Sequence, residues 1–272
     1  MTDRVRIAFI GGGNMAAALI GGLLRSGASA ADLLALEIEP ARRTQLEHEF
    51  GIRTLAATDD ALREHDVLVL AVKPQQLKEV CAQLAPRVER QLVVSIAAGI
   101  RARDIARWLG TQSIVRAMPN TPALIAQGVT GLAALAAVDE RERKIAERIL
   151  AAVGRVVWFD DESKLDAVTA ISASGPAYVF YFIEALIAAG RAEGLTEAQS
   201  RELATALFVG AAQLAAQSTE PVSVLRERVT SKGGTTAAAL ASFEADRVAA
   251  AIARAVHAAN ERAREMGDEF GR

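Results

Sequence analysis

The sequence predicts an α/β fold in which a doubly wound sheet is followed by an all-helical C-terminal region. Two observations support this prediction. Apolar, β-branched runs alternate with helical patterns over the first half of the chain, and strand patterns end at about Asp161. Such alternation is typical of a sheet with helices on both faces. We therefore expect two domains, residues 1–160 and residues 161–272.

Apolar runs mark the expected strands of the first domain: VRIAFI, DLLALE, DVLVLAV and QLVVSIAA. Helical patterns separate them, and Pro40 opens the helix PARRTQLEHEF. Because strands buried on both faces are continuously apolar, these runs predict a parallel sheet. SIVRAM, GVTGLAAL and GRVVWF add further strands. Between the last two lies the helix DERERKIAERILAAVG, whose C-terminus we expect Gly154 to cap.

The second domain consists of long, alanine-rich helical patterns that are apolar around much of their circumference. A helix with this composition must be covered by something. We expect a second copy of the chain to cover it, which predicts a homodimer. The alternative is a wide contact with the first domain alone.

Composition excludes several classes of function. The chain has 272 residues and a net charge of −2, which does not favour nucleic acid as a partner. A single cysteine, Cys81, excludes an internal disulfide, and three scattered histidines do not pair with it at metal-ligand spacing. We expect no metal, no bilayer-spanning stretch, no signal peptide and a cytoplasmic location.

The first glycine-rich segment, FIGGGNMA, places Gly11, Gly13 and Ala16 in a G-x-G-x-x-A pattern between a strand and a helix. Small residues permit a tight turn and let backbone N–H groups approach a pyrophosphate at the helix N-terminus. The pattern predicts a Rossmann-type dinucleotide site. A tight turn without a ligand is the alternative.

The end of the second strand leaves the choice of cofactor open. Glu37 is placed to accept hydrogen bonds from the adenosine ribose, which favours NAD. Arg42 and Arg43 follow closely and favour the 2′-phosphate of NADP, unless they form a solvated first helical turn.

Two turns at strand ends are further candidates for lining the cofactor. AVKPQ spans Ala71 to Gln75, where Lys73 is expected to line the site through its backbone. AMPNTP places Asn120 and Thr121 near the expected nicotinamide position. Ordinary turn chemistry is the alternative for the second segment.

A second glycine-rich segment, VTSKGGTTAAAL, precedes a helix near the end of the chain. Hydroxyls and N–H groups from Ser231 to Thr236 are suited to a small anion, most simply a carboxylate. The alternative is that Thr235 and Thr236 only cap the helix. The helical half contains no strong candidate nucleophile, acid or base, and SASGPAY lacks the first glycine of G-x-S-x-G. This absence agrees with nicotinamide chemistry, which needs binding and orientation.

The chain resembles the Δ1-pyrroline-5-carboxylate reductase family. The likeness runs through FIGGGNMA, AVKPQ, VVSIAAG, RAMPNTPALIAQGVT, ISASGPAYVF and VTSKGGTT, which occur in the order typical of the family over nearly the whole chain. The resemblance implies a Rossmann domain and a helical dimerisation domain. It also implies NAD(P)H-dependent reduction of 1-pyrroline-5-carboxylate to L-proline, at a site formed with the partner subunit. The cofactor would be NADP(H), with NAD(H) as the alternative. Five dimers would assemble into a ring, which is a decamer.

The resemblance also implies the site residues. The expected cofactor contacts are Ile10, Gly11, Gly12, Gly13, Asn14, Met15, Thr58, Ala71, Val72, Lys73, Pro74, Ile96, Ala97, Ala98 and Asn120, to which the residue pattern adds Glu37. The expected substrate contacts are Glu162, Ser231, Thr235 and Thr236, with Gly233 and Gly234 from the loop pattern and Thr236 as the catalytic residue.

Two residues depart from the family's pattern: Lys232 replaces a proline and Arg228 an asparagine. Two other functions are alternatives. A β-hydroxyacid dehydrogenase would need a catalytic lysine that SGPAYVFYFIEAL lacks, and a protein that only senses nucleotide would not need the second loop.

Overall fold

The sheet that carries the first glycine-rich loop is the centre of the fold. The structure, a computed structural model, describes residues 4–271. Within this range one mixed sheet has the strand order β3-β2-β1-β4-β5-β6-β7-β8. Its strands are β1 (Ile7–Ile10), β2 (Leu33–Leu36), β3 (Arg53–Leu55), β4 (Val67–Leu70), β5 (Leu92–Ser95), β6 (Ile114–Met118), β7 (Gly128–Ala134) and β8 (Gly154–Trp158).

Helices connect most of the strands and continue after the sheet ends. They are α1 (Asn14–Arg25), α2 (Pro40–Phe50), α3 (Pro74–Leu84), α4 (Ala102–Leu109), α5 (Glu140–Ala151) and α6 (Lys164–Val168). A π-helical segment, Thr169–Ala173, leads into α7 (Gly175–Ala192), α8 (Glu197–Gln217), α9 (Val222–Arg228), α10 (Thr235–Ala245) and α11 (Val248–Phe270).

Side chains of the sheet form two hydrophobic clusters, one on each face. In β1, Phe9 belongs to one cluster while Ala8 and Ile10 belong to the other, and all three are fully buried. This alternation follows from the two-residue period of a strand. The continuously apolar runs therefore do have cover on both faces, as predicted.

The predicted all-parallel arrangement is wrong at one strand pair, because β7 runs antiparallel to β6. The connection from Met118 to Gly128 is short, and a parallel crossover needs a dozen or more residues. Strand β3 was not predicted, because this three-residue edge strand has no apolar run.

Gly154 does not cap α5, so that prediction is wrong. The helix ends at Ala151, its C-cap is Ala152, and Gly154 begins β8 with φ +151°. A Cβ at Gly154 would overlap the backbone of Gly128 on the neighbouring strand. Glycine is needed there because the two strands approach closely at their first residues.

The chain divides into two compact units, which are described separately. The first contains the residues up to Ser174 together with those from Ala259 onward; the second spans Gly175–Ala258. In the first unit, Met266 of α11 lies against Gly99, and Arg101 pairs with Asp268 at 2.7 Å. The domain boundary between residues 160 and 161 stays a prediction.

The second unit has almost no buried interior. Among residues 175–258, all of which the structure describes, only Ser200 and Ala204 are buried. Large apolar side chains are exposed on its helices, including Phe180, Tyr181, Leu203, Leu207, Leu214 and Phe243. Helices α7 and α8 pack against each other, but this contact leaves most of their apolar surface uncovered.

Candidate functional site

The loop from β1 to α1 needs glycine for steric reasons. Gly11 has φ +101°, and its N–H donates to the carbonyl of Leu36 at 2.8 Å. A Cβ at this position would lie 2.8 Å from the carbonyl oxygen of Ala71. The loop therefore passes directly over the end of β4, and a larger residue would displace it.

Gly13 provides open space where the loop enters α1. It is the N-cap of α1 with no side-chain cap, and nothing lies within 4 Å of where its Cβ would be. The first N–H groups of a helix have no partner within the helix. With Asn14 exposed beside it, this helix start fits a pyrophosphate of a dinucleotide. Ile10 and Gly12, by contrast, are buried, and Met15 is half-buried.

Glu37 lies against this loop rather than in open solvent. One carboxylate oxygen accepts from the Gly12 N–H at 2.8 Å, and the other accepts from the Glu39 N–H at 2.9 Å. Arg42 Nε donates to the Gly12 carbonyl at 2.6 Å. Arg43 donates to the carbonyl of Glu37 at 2.9 Å. Glu37 and Arg42 thus help to hold the loop in place, while Arg43 contacts the segment after β2.

The other segments predicted to line the cofactor lie at the same edge of the sheet. In the strand register, Ile10 pairs with Leu70, and Leu70 pairs with Ser95, so β1, β4 and β5 end together. The strand order reverses between β1 and β4, where ligands bind in doubly wound sheets. The segments that follow are Ala71, Val72, Lys73 and Pro74 after β4, and Ile96, Ala97 and Ala98 after β5. Thr58, half-buried, lies in the segment after β3.

Asn120 has a structural role that its turn motif did not reveal. The residue is buried, its Oδ1 accepts from the Val129 N–H at 2.9 Å, and its Nδ2 donates to Ser172 O and Oγ at 3.3 Å. The side chain therefore joins the end of β6 to β7 and the π-helical segment. Thr121, next to it, is exposed.

Glu162 contacts an arginine that the sequence analysis missed. Arg116, 2% exposed on β6, donates to the Glu162 carboxylate at 3.1 Å and lies 3.6 Å from a carboxylate oxygen of Asp166. The Ala102 N–H, at the start of α4, donates to the same oxygen of Glu162 at 2.7 Å. The signal was present as a lone charge inside the apolar strand SIVRAM, because a buried charge requires partners.

The second glycine-rich loop forms a tight turn at the start of α10. The Gly234 N–H donates to the Ser231 carbonyl at 3.1 Å, and Gly233 has φ +73°. A positive φ at the third residue of a four-residue turn is typical of a type II turn, and here Gly233 is that residue. Lys232, whose φ is not positive, is the second residue, a position that proline favours. Ser231 and Lys232 are both exposed.

Neither threonine of this loop caps α10. The N-cap is Gly234, which has extended backbone and no side-chain cap, while Thr235 and Thr236 are the first two residues of the helix. The interpretation that they serve only as caps is therefore wrong. Thr235 is exposed and Thr236 half-buried. The helix start retains N–H donors, with a hydroxyl on each threonine, that can hold a carboxylate.

Arg228 is engaged close to this loop. Its guanidinium makes a bidentate ion pair with Glu220, with N–O distances of 2.5 and 2.6 Å. The pair links Glu220, two residues before α9, to the last residue of that helix. This contact accounts for an arginine at a position where the family's pattern has asparagine.

Two other groups with reactive side chains, Cys81 and His65, are buried or partly buried away from the two loops. Burial raises the pKa of the Cys81 thiol to about 12, which leaves it protonated and unreactive at neutral pH. Burial also lowers the pKa of His65. Among residues 4–271 there is no group of three His, Cys, Asp or Glu that could hold a metal ion.

The expectation that no stretch could cross a membrane needs correction. By length and composition alone, the helical run Lys164–Ala192 is long and apolar enough to do so. Only 6% of its most apolar 18-residue stretch is buried. Composition cannot distinguish such a helix from one that is covered by another protein surface.

Two family models match the chain. Residues 162–266 match the model described as pyrroline-5-carboxylate reductase dimerisation. Residues 6–99 match the model described as NADP oxidoreductase coenzyme F420-dependent. The first match contains the second glycine-rich loop, and the other match contains the first loop.

Several proteins are similar to the chain over nearly its whole length. The chain is 45% identical over 268 residues to a pyrroline-5-carboxylate reductase of Pseudomonas aeruginosa, with 98% of each protein covered. A solved pyrroline-5-carboxylate reductase from Coxiella burnetii matches with a TM-score of 0.92 and 38% identity, covering 97% of this chain and 99% of that one. The Plasmodium falciparum pyrroline carboxylate reductase, solved with NADP bound, matches with a TM-score of 0.87 and 29% identity, covering 98% and 100%.

Proposed function

The chain belongs to the pyrroline-5-carboxylate reductase family, and on that premise we propose that it reduces 1-pyrroline-5-carboxylate to L-proline, the last step of proline biosynthesis. The observation that carries the proposal is the 45% identity to the Pseudomonas aeruginosa enzyme across 98% of both chains. The reductant is NADPH or NADH. Both glycine-rich loops needed for this reaction are present at helix starts.

The reaction adds a hydride to the imine carbon and leaves the ring nitrogen with the proton it already carries. When bound, the reduced nicotinamide supplies that hydride. Because water can protonate the imine before it binds, the protein needs no obligatory acid. Its contribution is to bind and orient both molecules and to exclude water.

The first loop is proposed to hold the dinucleotide. Donors at the start of α1 receive the pyrophosphate, and Gly13 leaves room for the phosphate oxygens to approach the backbone. The segments after β4 and β5 line the same edge of the sheet. Asn120, held by Val129 and Ser172, fixes the strand end assigned to the nicotinamide.

The second loop is proposed to hold the substrate carboxylate. The N–H groups at the start of α10 and the hydroxyls of Ser231 and Thr235 are the donors available. Thr236 is the proposed catalytic residue, because its hydroxyl donates a hydrogen bond to the substrate and orients the ring. Glu162 remains a proposed substrate contact as well.

Turnover tests the assignment directly. Purified protein is mixed with 1-pyrroline-5-carboxylate and NADPH or NADH, and loss of reduced-cofactor absorbance is followed. We expect oxidation that depends on the imine acid and produces proline. No oxidation with either cofactor, while a different cyclic imine acid reacts, would refute the substrate.

The sequence of α7 argues against the chemistry of a β-hydroxyacid dehydrogenase. That chemistry needs a catalytic lysine, and α7, GPAYVFYFIEALIAAGRA, contains none.

We also propose that the helical unit forms a homodimer, and that dimers assemble into a decamer. The exposed apolar side chains of residues 175–258 support a second copy as their cover, and so does the dimerisation model that matches residues 162–266. Sedimentation should give a dimer or a multiple of it, and unfolding should depend on protein concentration. An active monomer at micromolar concentration would contradict this proposal.

The cytoplasm is the proposed location. A single buried cysteine and use of a reduced dinucleotide both agree with a reducing compartment. Fractionation that places the protein with a membrane would overturn this proposal and would give the apolar run Lys164–Ala192 a different role.

A further inference from the structure

We propose that Gly267 and Asp268, near the C-terminal end of α11, are positioning residues for the dinucleotide, because they hold the loop between β5 and α4 in place. This loop, residues 96–101, begins with the residues that are proposed to line the cofactor after β5. The inference rests on the proposed function in taking this loop as part of the dinucleotide site. It assigns the two residues a role that acts through the loop and not through contact with the cofactor.

The loop starts at the edge of the sheet where the dinucleotide is proposed to bind. The Ile96 N–H donates to the Leu70 carbonyl at 3.0 Å, and the Ala71 N–H donates to the Ile10 carbonyl at 2.8 Å. These bonds continue the pairing of β5 with β4, and of β4 with β1, by one residue. Beyond Ile96 the chain leaves the sheet, so the position of the rest of the loop depends on the elements packed against it.

The end of α11 packs directly on the backbone of the loop. Gly99 is buried with φ +73°, and a Cβ at this position would lie 2.8 Å from the Cβ of Met266. A Cβ on Gly267, which is also buried, would lie 3.3 Å from the Gly99 carbonyl oxygen and 3.2 Å from Arg101 Nε. Glycine at both positions lets the helix and the loop approach each other at main-chain distance. The position of the loop therefore follows the position of the helix.

The side of α11 that meets the loop has the residue spacing of a packed helix face. Ala263 and Gly267 are buried, and Met266 and Phe270 are half-buried, which gives the positions i, i+3, i+4 and i+7. Phe270 packs against the hydrophobic cluster that contains Ile100 of the loop. This end of the helix is therefore held in a fixed position, as a support for the loop requires.

Two acids hold the end of the loop. Arg101, its last residue, pairs with Asp268 at 2.7 Å. The next N–H, that of Ala102, donates to the Glu162 carboxylate at 2.7 Å, and the buried Arg116 donates to the same oxygen at 3.1 Å. The loop thus ends between an acid of α11 and an acid of the segment after β8. This role of Glu162 is separate from the substrate contact proposed above.

Gly267→Ala tests the packing. The added methyl group pushes on the Gly99 carbonyl and on Arg101, whereas alanine favours the helix itself. We expect the Kd for NADPH, measured by fluorescence titration of the full-length protein, to rise about tenfold. The KM for NADPH should rise with it, while the KM for the imine acid and kcat stay within about twofold. Glu265→Ala, on the exposed side of α11, is the control and should leave the Kd unchanged. An unchanged Kd for Gly267→Ala would overturn the proposal.

Asp268→Asn tests the ion pair with Arg101. Loss of a negative charge by itself favours an anionic dinucleotide, so weaker binding identifies a loss of positioning and not a general charge effect. We expect the Kd for NADPH to rise about threefold, since the pair is partly exposed. Asp268→Glu keeps the charge and should recover the original affinity, and Glu265→Gln is the matched control on the same helix. Equal or tighter binding by Asp268→Asn would overturn the role of Asp268.

A double variant shows whether Asp268 acts through Arg101. If it does, the protein with both Arg101→Met and Asp268→Asn binds NADPH no more weakly than the protein with Arg101→Met alone. Additive losses would show that Asp268 does not act through the loop and would contradict the proposal.

Failure of this inference is distinguishable from failure of the proposed function. NADPH binding is measured without the imine acid, so a wrong substrate leaves the Kd ratio of each variant to the unmodified protein as expected. A wrong inference brings these ratios close to one while the imine acid is still reduced. Should Gly267→Ala fail to fold, Asp268→Asn, which changes an exposed side chain, still decides the question.

Discussion

The two glycine-rich loops are alike in sequence but differ in how the structure holds them. Each has glycines before a helix whose N-cap is a glycine without a side-chain cap. At the first loop, Gly11 and Gly12 are buried, and a Cβ on either would lie within 3.0 Å of a neighbouring atom. At the second, Gly233 is exposed and nothing surrounds its Cβ position.

This difference shows that a glycine pattern can serve two purposes. In the first loop, glycine is required because the backbone passes close to β4 and Leu46, so the fold itself depends on it. In the second loop, Gly233 is required for its positive φ in a turn of only four residues, Ser231 to Gly234. Mutations should therefore affect folding at the first loop and catalysis at the second.

Gly11→Ala should have the largest effect. Its φ of +101° and the 2.8 Å approach of a Cβ to the Ala71 carbonyl predict a loss of about 3 kcal/mol in the free energy of unfolding, with loss of cofactor binding. Urea unfolding and NADH titration measure both. Gly13→Ala is the control, since open space surrounds that position; it should stay within about 1 kcal/mol of the original stability and weaken only cofactor binding. A normal Kd and stability for Gly11→Ala would remove the contrast between the loops.

Thr236→Ala should act on catalysis alone. Loss of one orienting hydrogen bond to the substrate costs about 1–3 kcal/mol, which is roughly a tenfold to hundredfold loss in kcat/KM. The Kd for the dinucleotide and the unfolding midpoint should be unchanged. Ser242→Ala, on the exposed side of the same helix, is the matched control and should behave like the unmodified protein. If Thr236→Ala abolished dinucleotide binding instead, the proposed division of labour between the loops would be wrong.

Glu162→Ala separates two roles of one residue. Glu162 is predicted to contact the substrate, and it also forms an ion pair with the buried Arg116. Removing it leaves the buried guanidinium with Asp166 at 3.6 Å, so we expect a loss of about 1–3 kcal/mol in the free energy of unfolding. Asp160→Ala, an exposed acid nearby, should cost little. Chemical unfolding together with KM for the imine acid separates the two roles. A raised KM at unchanged stability would indicate that Glu162 acts only on the substrate.

Lys232→Pro should have the smallest effect. Lys232 occupies the type II turn position that proline favours, so we expect a gain of about 0.4–1 kcal/mol in the free energy of unfolding. Turnover should stay within about twofold, because the proposed carboxylate donors are at the helix start and not at Lys232. Differential scanning calorimetry and steady-state kinetics test this. A large loss of kcat/KM would show that the lysine charge binds the substrate.

Local and periodic features were determined by the sequence itself. The apolar runs predicted seven of the strands. Five of them, β1, β2, β4, β5 and β6, are buried along their whole length, and a strand buried on both faces must be apolar throughout. The two glycine loops and Pro40 at a helix start were also predictable, since each reflects a backbone preference of one residue type.

Only the tertiary structure decided features that depend on residues far apart in the chain. The antiparallel β7, the edge strand β3, the contact of Glu37 with Gly12 and the pairing of Arg116 with Glu162 are examples. Gly154 is another, because its role comes from the backbone of Gly128 on the neighbouring strand and not from the helix before it. A sequence pattern records what each residue prefers, whereas the partner that satisfies a buried charge or crowds a glycine is chosen when the chain folds.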